Sequence, residues 1–268
     1  MRQIIKNLLR DAMAILPDFL WRTIYKFIFS IKHPKLVAAL NDYTFTDEHL
    51  KFVHILEAVN YVKVAGADGD ALPQTYFEFG CHSGRTFSAA VNAARLLWAR
   101  DPKFYAFDSF EGLPETYGEE DGYFQEGTFC TCRDDFVGIV RKKTGLSLDD
   151  KYIVQGYYCD SLTPEVQARM PKAGVVHIDV DLYSSTVEVL VFIKPLLVTG
   201  TLLIFDDWYC FPGGSLMGER RALTEFLDNN PGFEVEPWKA YSTFGQSFFV
   251  SRVPQSLQAP EEPKHHVK

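Results

Sequence analysis

The sequence has no stretch of 18 uncharged apolar residues, so it predicts no helix that spans a membrane. Its five cysteines are odd in number and include no CxxC pair, which disfavours both a disulfide framework and a zinc site. Lys and Arg (27) are outnumbered by Asp and Glu (35), and the net charge of −8 disfavours a nucleic-acid binder. Charged residues interrupt segment 8–20, so no signal peptide is predicted. We expect the protein to be located in the reducing cytoplasm, which the odd number of cysteines also favours.

The length fits one large α/β domain with an appendage, or two small domains, and the 47% apolar content of the 268 residues allows a sizeable core. We expect an N-terminal helical arm in residues 1–70, a main domain in 71–253 and a disordered tail in 254–268. The first 40 residues carry seven Lys or Arg against two acids. Segment 18–31 predicts an amphipathic helix that packs on the domain, on a second subunit, or on an anionic membrane surface.

Two consecutive apolar runs each end on a pair of carboxylates. The first run ends on Asp179 and Asp181, and the second ends on Asp206 and Asp207. Short runs rich in Val, Ile and Leu are typical of buried parallel strands, whose carboxyl ends meet at one edge of the sheet. Oxygen ligands that lie close together suit Mg²⁺, Mn²⁺ or Ca²⁺. The sequence therefore predicts a divalent-cation site, with ordinary loop acids and helix caps as the alternative.

A glycine-containing turn follows the earlier predicted strand 76–79. The pattern is E-x-G-x-x-x-G, and a helix is predicted from Arg85. Glycine lets a ligand approach the backbone, and the start of the helix offers N–H groups to a carboxylate or phosphate. A second strand, 103–107, ends at Asp108, where nucleotide-binding folds hold ribose hydroxyls. Because the turn is not G-x-G-x-x-G, an adenosine cofactor without a pyrophosphate fits better than NAD.

Two further segments could contact ligands. Segment 115–132 is rich in glycine and aromatic residues and is long for a routine loop, so we interpret it as a lid or substrate wall. Tyr157 and Tyr158 follow a third predicted strand, where they either sandwich an adenine or pack in the core.

Five motifs occur in the order FEFGCHSGRT, FDSFEGLP, IDVDLYSST, IFDD and GERRALTEF. Over residues 43–250 the chain resembles the macrocin O-methyltransferase family of class I S-adenosylmethionine (SAM) enzymes. The resemblance implies a Rossmann-like, mostly parallel seven-stranded sheet with helices on both faces. It also implies methylation of a hydroxyl, typically of a sugar in a natural product or glycan. We expect in addition that the chain forms a homo-oligomer.

The resemblance also implies roles for individual residues. SAM would lie over the first glycine turn with Asp108 on its ribose, and Mg²⁺ would be held by Asp181, Asp206 and Asp207. The predicted cofactor-binding residues are Glu78, Gly80, Ser83, Gly84, Asp108, Ser109, Gly156 and Asp160. The related catechol methyltransferases place a lysine base just after the first metal aspartate, where this chain has Ser184. Asp181 or Asp179 is therefore the predicted base.

Two other classes of function stay open at the level of sequence. Glycosyltransferases bind a metal and a sugar nucleotide through a D-x-D motif, which Asp179 and Asp181 also form. The glycine turn and Asp108 count against that reading. A non-catalytic scaffold would keep the cofactor fold and bind SAM without transferring its methyl group.

Overall fold

Strands and helices alternate along most of the described chain, as an α/β fold requires. The computed structural model describes residues 47–65, 72–98, 102–115, 123–149, 152–211, 213–214 and 216–257. The N-terminal amphipathic helix, part of segment 115–132 and most of the tail lie outside these residues. The compact unit that holds the sheet spans residues 45–268. The three domain bounds expected above remain predictions.

The seven strands match the predicted number, and the first two agree within one residue with the predicted strands 76–79 and 103–107. They are β1 Thr75–Phe79, β2 Lys103–Asp108, β3 Ile153–Gln155, β4 Val175–Ile178, β5 Leu202–Phe205, β6 Glu234–Tyr241 and β7 Gly245–Arg252. The α-helices are α1 Asp47–Ala65, α2 Arg85–Leu97, α3 Arg133–Thr144, α4 Tyr158–Ser161, α5 Pro164–Gln167, α6 Tyr183–Ile193 and α7 Gly218–Asp228. Two short 3₁₀ helices cover Lys194–Leu196 and Gln255–Leu257.

The seven strands form one sheet in the order β3-β2-β1-β4-β5-β7-β6. All pairs among β1 to β5 are parallel, and β7 runs antiparallel to both of its neighbours. The chain order reverses between β1 and β4, and such a switch point opens a crevice at the carboxyl ends of the strands. The predicted mostly parallel, seven-stranded sheet is confirmed.

Helices cover both faces of the sheet because successive strand residues point to opposite sides. On one face Phe77 and Ile178 pack with residues of α6 and α7, such as Leu190 and Leu223. On the other face Tyr76, Val175 and Ile204 pack with residues of α1, α2 and α3. Each face therefore has its own apolar core, and the predicted helices on both faces are confirmed.

Helix α1 is fixed firmly against the second of these faces. Its buried side chains recur at helical spacing and include Phe52, Ile55 and Val59, each about 1% exposed or less. The indole N–H of Trp98, just after α2, donates a hydrogen bond of 2.8 Å to the carbonyl of Val59. This packing brings the first turns of α1 to the edge of the sheet where β4 and β5 end.

Candidate active site

The turn after β1 needs glycine for two separate reasons. Gly80 has φ +79°, in the left-handed region, and a Cβ on it would lie 1.7 Å from the carbonyl oxygen of Asp179. Gly84 has φ +65° and precedes α2, which has no side-chain cap and no acidic residue in its first turn. The start of such a helix favours a bound anion, such as the carboxylate in the methionine part of SAM.

Asp108 lies at this turn, as predicted. One of its carboxylate oxygens accepts hydrogen bonds from the backbone N–H groups of Cys81 (2.6 Å) and His82 (2.9 Å). The other oxygen accepts the N–H of Phe110 at 2.7 Å. Asp108 therefore joins the end of β2 to the glycine turn and holds the crevice between them.

The other predicted cofactor-binding residues have different hydrogen-bond partners. Glu78 is fully buried, and its carboxylate accepts the hydroxyls of Tyr76 (2.5 Å) and Thr86 (2.8 Å). It therefore braces β1 against α2. The Ser109 hydroxyl donates to the carbonyl of Gly112 at 2.8 Å, inside its own turn.

Three more residues of that predicted set remain. Gly156 and Asp160 follow β3, and Ser83 lies in the glycine turn after β1. Gly156 has φ +127°, and its N–H donates to the carbonyl of Asp108 at 3.0 Å, so it follows β3 beside β2. Asp160 is exposed on the short helix α4, and Ser83 is partly buried next to Gly84. The cofactor-binding role of all eight residues stays a prediction.

The strand register decides which carboxylates meet. Ile178 pairs with Phe205, and the pairing continues because the Asp206 N–H donates to the Ile178 carbonyl at 3.0 Å. Asp179 and Asp206 are therefore neighbours on the face that α1 covers, together with His177. One ligand atom from each of His177, Asp179 and Asp206 lies within 4.8 Å of the others. Among the described residues, this set has the spacing of ligand atoms that could hold a metal ion, and it does not include Asp181.

Asp181 and Asp207 lie beside this cluster. Asp181 follows β4 with φ +60°, a conformation that Asp tolerates better than most residues. Burial and the negative charges of Asp179 and Asp206 raise the pKa of Asp181 to about 7. Burial and the neighbouring carboxylates also raise the pKa values of Asp179 and Asp207 well above the ordinary value. The four aspartates therefore lie close enough to resist joint ionisation.

Asp206 is the exception among the four because it already has cationic and hydrogen-bonding partners. The hydroxyl of Tyr241 donates to its Oδ1 at 2.9 Å, and the ammonium of Lys51 forms an ion pair with Oδ2. The Nε2 atom of His177 lies 3.9 Å from Oδ1, which is longer than a hydrogen bond. Burial alone would raise the pKa of Asp206, but His177 and Lys51 lower it to about 2.

His177 is fully buried between two acids, with Nδ1 3.7 Å from Glu78 and Nε2 3.9 Å from Asp206. Neither ring nitrogen has a hydrogen-bond partner. Burial lowers its pKa, yet the two carboxylates outweigh burial and raise the pKa to about 10. Burial lowers the pKa of Lys51 as well, but Asp206 and Asp179 more than reverse that effect.

The donor set fits a divalent cation. Asp207 Oδ2 and Glu219 Oε1 are buried without a hydrogen-bond partner, and the other oxygen of Glu219 accepts the Asp207 N–H at 3.0 Å. Buried carboxylate oxygens without partners are costly unless an ion or water satisfies them. A divalent cation would supply the missing positive charge and relieve the raised pKa values of the aspartates.

Sequence reasoning missed four residues of this site, which are Lys51, His177, Glu219 and Tyr241. His177 had a usable signal, because it precedes Asp179 by two residues in a strand and so shares its face. Glu219 was part of the GERRALTEF motif without an assigned role. Lys51 and Tyr241 carry no local signal, because only tertiary packing brings α1 and β6 to Asp206.

Two further observations concern the whole described region. Among the residues described, no helix is both long and apolar enough to cross a membrane. The five cysteines all lie in the described part, and all are free thiols.

The sheet order, the glycine turn after β1 and the acid that ends β2 define a Rossmann-like class I methyltransferase fold. A family model described as macrocin O-methyltransferase (TylF) matches residues 37–230. The chain belongs to this family, and the resemblance inferred from its motifs is confirmed.

Individual relatives agree with this assignment. Demethyldecarbamoylnovobiocin O-methyltransferase from Streptomyces niveus is 27% identical over 169 residues, which cover 60% of this chain and 63% of that protein. The match thus spans less than two thirds of the relative's length. The solved structure of the O-methyltransferase NovP has a TM-score of 0.57 at 22% identity, covering 74% of this chain and 79% of NovP. The calicheamicin methyltransferase CalS11 has a TM-score of 0.53 at 20% identity, covering 72% and 77%. These two structures support the fold.

Proposed function

We propose that this protein transfers the methyl group of SAM to a hydroxyl of a sugar in a natural product or glycan, with Mg²⁺ or another divalent cation. One observation carries the proposal. The carbonyl oxygen of Asp179 lies 1.7 Å from where a Cβ on Gly80 would be, so the glycine turn directly adjoins the strand end that carries the aspartates. A methyl donor at the turn would face an acceptor held at the aspartates.

The donor half of the crevice is built from the glycine turn and Asp108. Gly80 and Gly84 keep the backbone open, the first turn of α2 would face the carboxylate of the donor, and Asp108 would accept hydroxyl donors such as those of ribose. Holding the sulfonium methyl in line with the acceptor oxygen is worth about 7–11 kcal/mol in well-oriented reactions. Orientation is therefore the main contribution expected from these residues.

The acceptor half is built from the aspartates. Asp181, Asp206 and Asp207 remain the proposed ligand set, with Asp179 and His177 adjoining Asp206. A bound divalent cation would stabilise negative charge on the acceptor oxygen and so make its proton easier to remove. The unpartnered oxygens of Asp207 and Glu219 support this placement.

A carboxylate must accept the proton that leaves the acceptor hydroxyl. As the new C–O bond forms, the S–C bond breaks, and the sulfonium becomes the neutral thioether of the demethylated donor. Asp181 is the first candidate; its pKa is about 7 in the cation-free cluster, and a cation bound beside it would lower that pKa, so that Asp181 would be ionised and able to accept a proton. Asp179 is the second candidate. Lys51 does not replace the lysine of catechol methyltransferases, because an ammonium paired with Asp206 has no free lone pair.

The acceptor class rests on membership of the family and on the relative's name, which denotes methylation of a novobiocin derivative. We also propose that the protein self-associates and that it acts in the cytoplasm. Its N-terminal helix would either pack on protein or contact a membrane surface. Family membership and the adjoining glycine turn count against the alternative function, a glycosyltransferase that binds its metal through a D-x-D motif.

The direct test is to incubate the purified chain with radiolabelled SAM, Mg²⁺ and a panel of glycosides that carry free hydroxyls. We expect label in at least one glycoside, and none with Asp206→Asn. Binding of a UDP-sugar in place of SAM would support a glycosyltransferase. SAM binding without transfer to any acceptor would support the scaffold and contradict the proposal.

A further inference from the structure

An ion pair joins two distant parts of the chain at the candidate cation site. Lys51 on α1 and Asp206 after β5 are 155 positions apart, and the Lys51 ammonium contacts Oδ2 of Asp206. The Lys51 side chain is 24% exposed, whereas Asp206 is 2% exposed. Lys51 therefore reaches from the solvent boundary onto the most buried carboxylate of the cluster.

Helix α1 acts on both oxygens of Asp206. Lys51 contacts Oδ2 directly, and it is anchored by the neighbouring Phe52, which is 1% exposed. One turn later His54 stacks on Tyr241 with ring centroids 4.1 Å apart, and the Tyr241 hydroxyl donates to Oδ1 at 2.9 Å. Asp206 is therefore fully engaged by protein groups, unlike Asp207, whose Oδ2 has no hydrogen-bond partner.

This arrangement has an electrostatic consequence for any cation that binds. The Lys51 charge acts on Asp179 and Asp207 as well as on Asp206. A divalent cation that takes Oδ2 of Asp206 as a ligand must displace the ammonium from that oxygen. Because Lys51 is partly exposed, its flexible side chain can turn its ammonium to water when this happens.

We propose that Lys51 is a built-in competitor for the divalent cation, pairing with Asp206 until a cation displaces it. This inference rests on the proposed function, because it assumes that Asp206 is a ligand. Lys51 stabilises the cation-free cluster by neutralising one of its charges, and it weakens cation binding by the same interaction. It is a positioning residue that sets cation affinity.

The test is calorimetric titration of MnCl₂ into the full chain after removal of metal with EDTA and dialysis. Lys51→Met and Lys51→Gln remove the charge, Lys51→Arg keeps it, and Lys63→Met removes an exposed lysine from the same helix. We expect both neutral variants to bind Mn²⁺ at least tenfold more tightly than the wild type. Lys51→Arg and Lys63→Met should bind with an affinity close to that of the wild type.

The direction of the change separates this role from a structural one, because general damage to the site would weaken Mn²⁺ binding. Thermal unfolding gives a second readout: the neutral variants should have a lower Tm without metal and a larger Tm increase on adding Mn²⁺. If the wild type binds Mn²⁺ and both neutral variants bind equally or more weakly, the inference is wrong and the cation site stands. If no variant and no wild-type protein binds Mn²⁺, the inference and the proposed cation site are both wrong.

Discussion

Asp108 accepts the backbone N–H of Cys81 at 2.6 Å, so the end of β2 is bonded directly to the glycine turn after β1. Replacing Asp108 with Ala removes this bond and those from His82 and Phe110. Hydrogen bonds to a charged group contribute about 1.5–3 kcal/mol each, so the turn should lose its shape. We expect at least a tenfold loss of SAM affinity by calorimetry, and a lower Tm.

The matched control for Asp108 is Asp134→Ala on α3, whose side chain is 96% exposed. This variant should bind SAM as the wild type does. Unchanged SAM affinity in Asp108→Ala would show that the carboxylate does not organise the donor site.

The close approach of Gly80 to Asp179 makes Gly80→Ala a sensitive test of the crevice. The new methyl group would clash with the Asp179 carbonyl, and φ +79° is unfavourable for Ala. We expect the free energy of unfolding to fall by more than about 2 kcal/mol, measured by urea denaturation. SAM binding should be lost with it.

Gly138→Ala is the control for that substitution, because a Cβ on Gly138 in α3 would meet nothing within 4 Å. In a helix interior this change should stabilise by about 0.5–1 kcal/mol. Equal stability of the two alanine variants would contradict the close contact between the glycine turn and the residue that follows β4.

The partly buried carboxylate of Asp207 should reduce stability when no cation is present. The pKa of Asp207 is higher in the folded chain than in the unfolded chain. The folded state therefore loses stability as the pH rises above the pKa of Asp207 in the unfolded chain. An Asn side chain does not ionise and avoids this loss. At pH 7.5 in EDTA, Asp207→Asn should raise the free energy of unfolding by about 1 kcal/mol or more. Mg²⁺ should raise the Tm of the wild type and not that of the variant.

The exposed Asp228 at the end of α7 provides the comparison, and Asp228→Asn should keep the full response to Mg²⁺. A cation-free Asp207→Asn protein that is less stable than the wild type would argue that the carboxylate is structural. An undiminished Mg²⁺ response in that variant would remove Asp207 from the ligand set.

The buried His54 should make the folded protein less stable in mild acid. Burial, together with the positive charges of His177 and Lys239, lowers its pKa to about 4 from an ordinary 6.5. The unfolded chain therefore binds a proton more readily, and stability is lost as pH falls from 6.5 towards 4. In His54→Phe, which can still stack on Tyr241, the loss between pH 7 and pH 5 should be smaller by about 1–2 kcal/mol.

Urea denaturation at several pH values checks this prediction, with the exposed His82→Asn as the control. His54→Phe should lose less stability than both the wild type and the control. Identical pH profiles for all three proteins would show that His54 does not titrate abnormally.

The fold and the glycine turn were predictable because their signals are local. Apolar runs marked β1, β4 and β5, and Gly80 and Asp108 stand at strand ends where class I folds bind ligands. The grouping of the acids was harder to predict. Which aspartate lies beside Asp206 depends on the register between β4 and β5, and a shift of one residue would move Asp179 to the other face.

Lys51 shows why the rest of the site could not be predicted. Its contact with Asp206 requires α1 to pack on the sheet face that His177 and Asp206 share, and a single sequence gives no signal for such a pairing. The chain has no lysine just after Asp181, yet a lysine reaches the cluster from a helix much earlier in the chain. Tertiary packing therefore supplied a charge that local motifs did not predict.

The cation dependence of the reaction is best measured by following methyl transfer from SAM to an accepted glycoside while Mg²⁺ is titrated into EDTA-treated protein. We expect negligible transfer without the cation, recovery as Mg²⁺ saturates the site, and no recovery in Asp206→Asn. Full transfer in the presence of EDTA would show that the aspartates do not act through a bound cation.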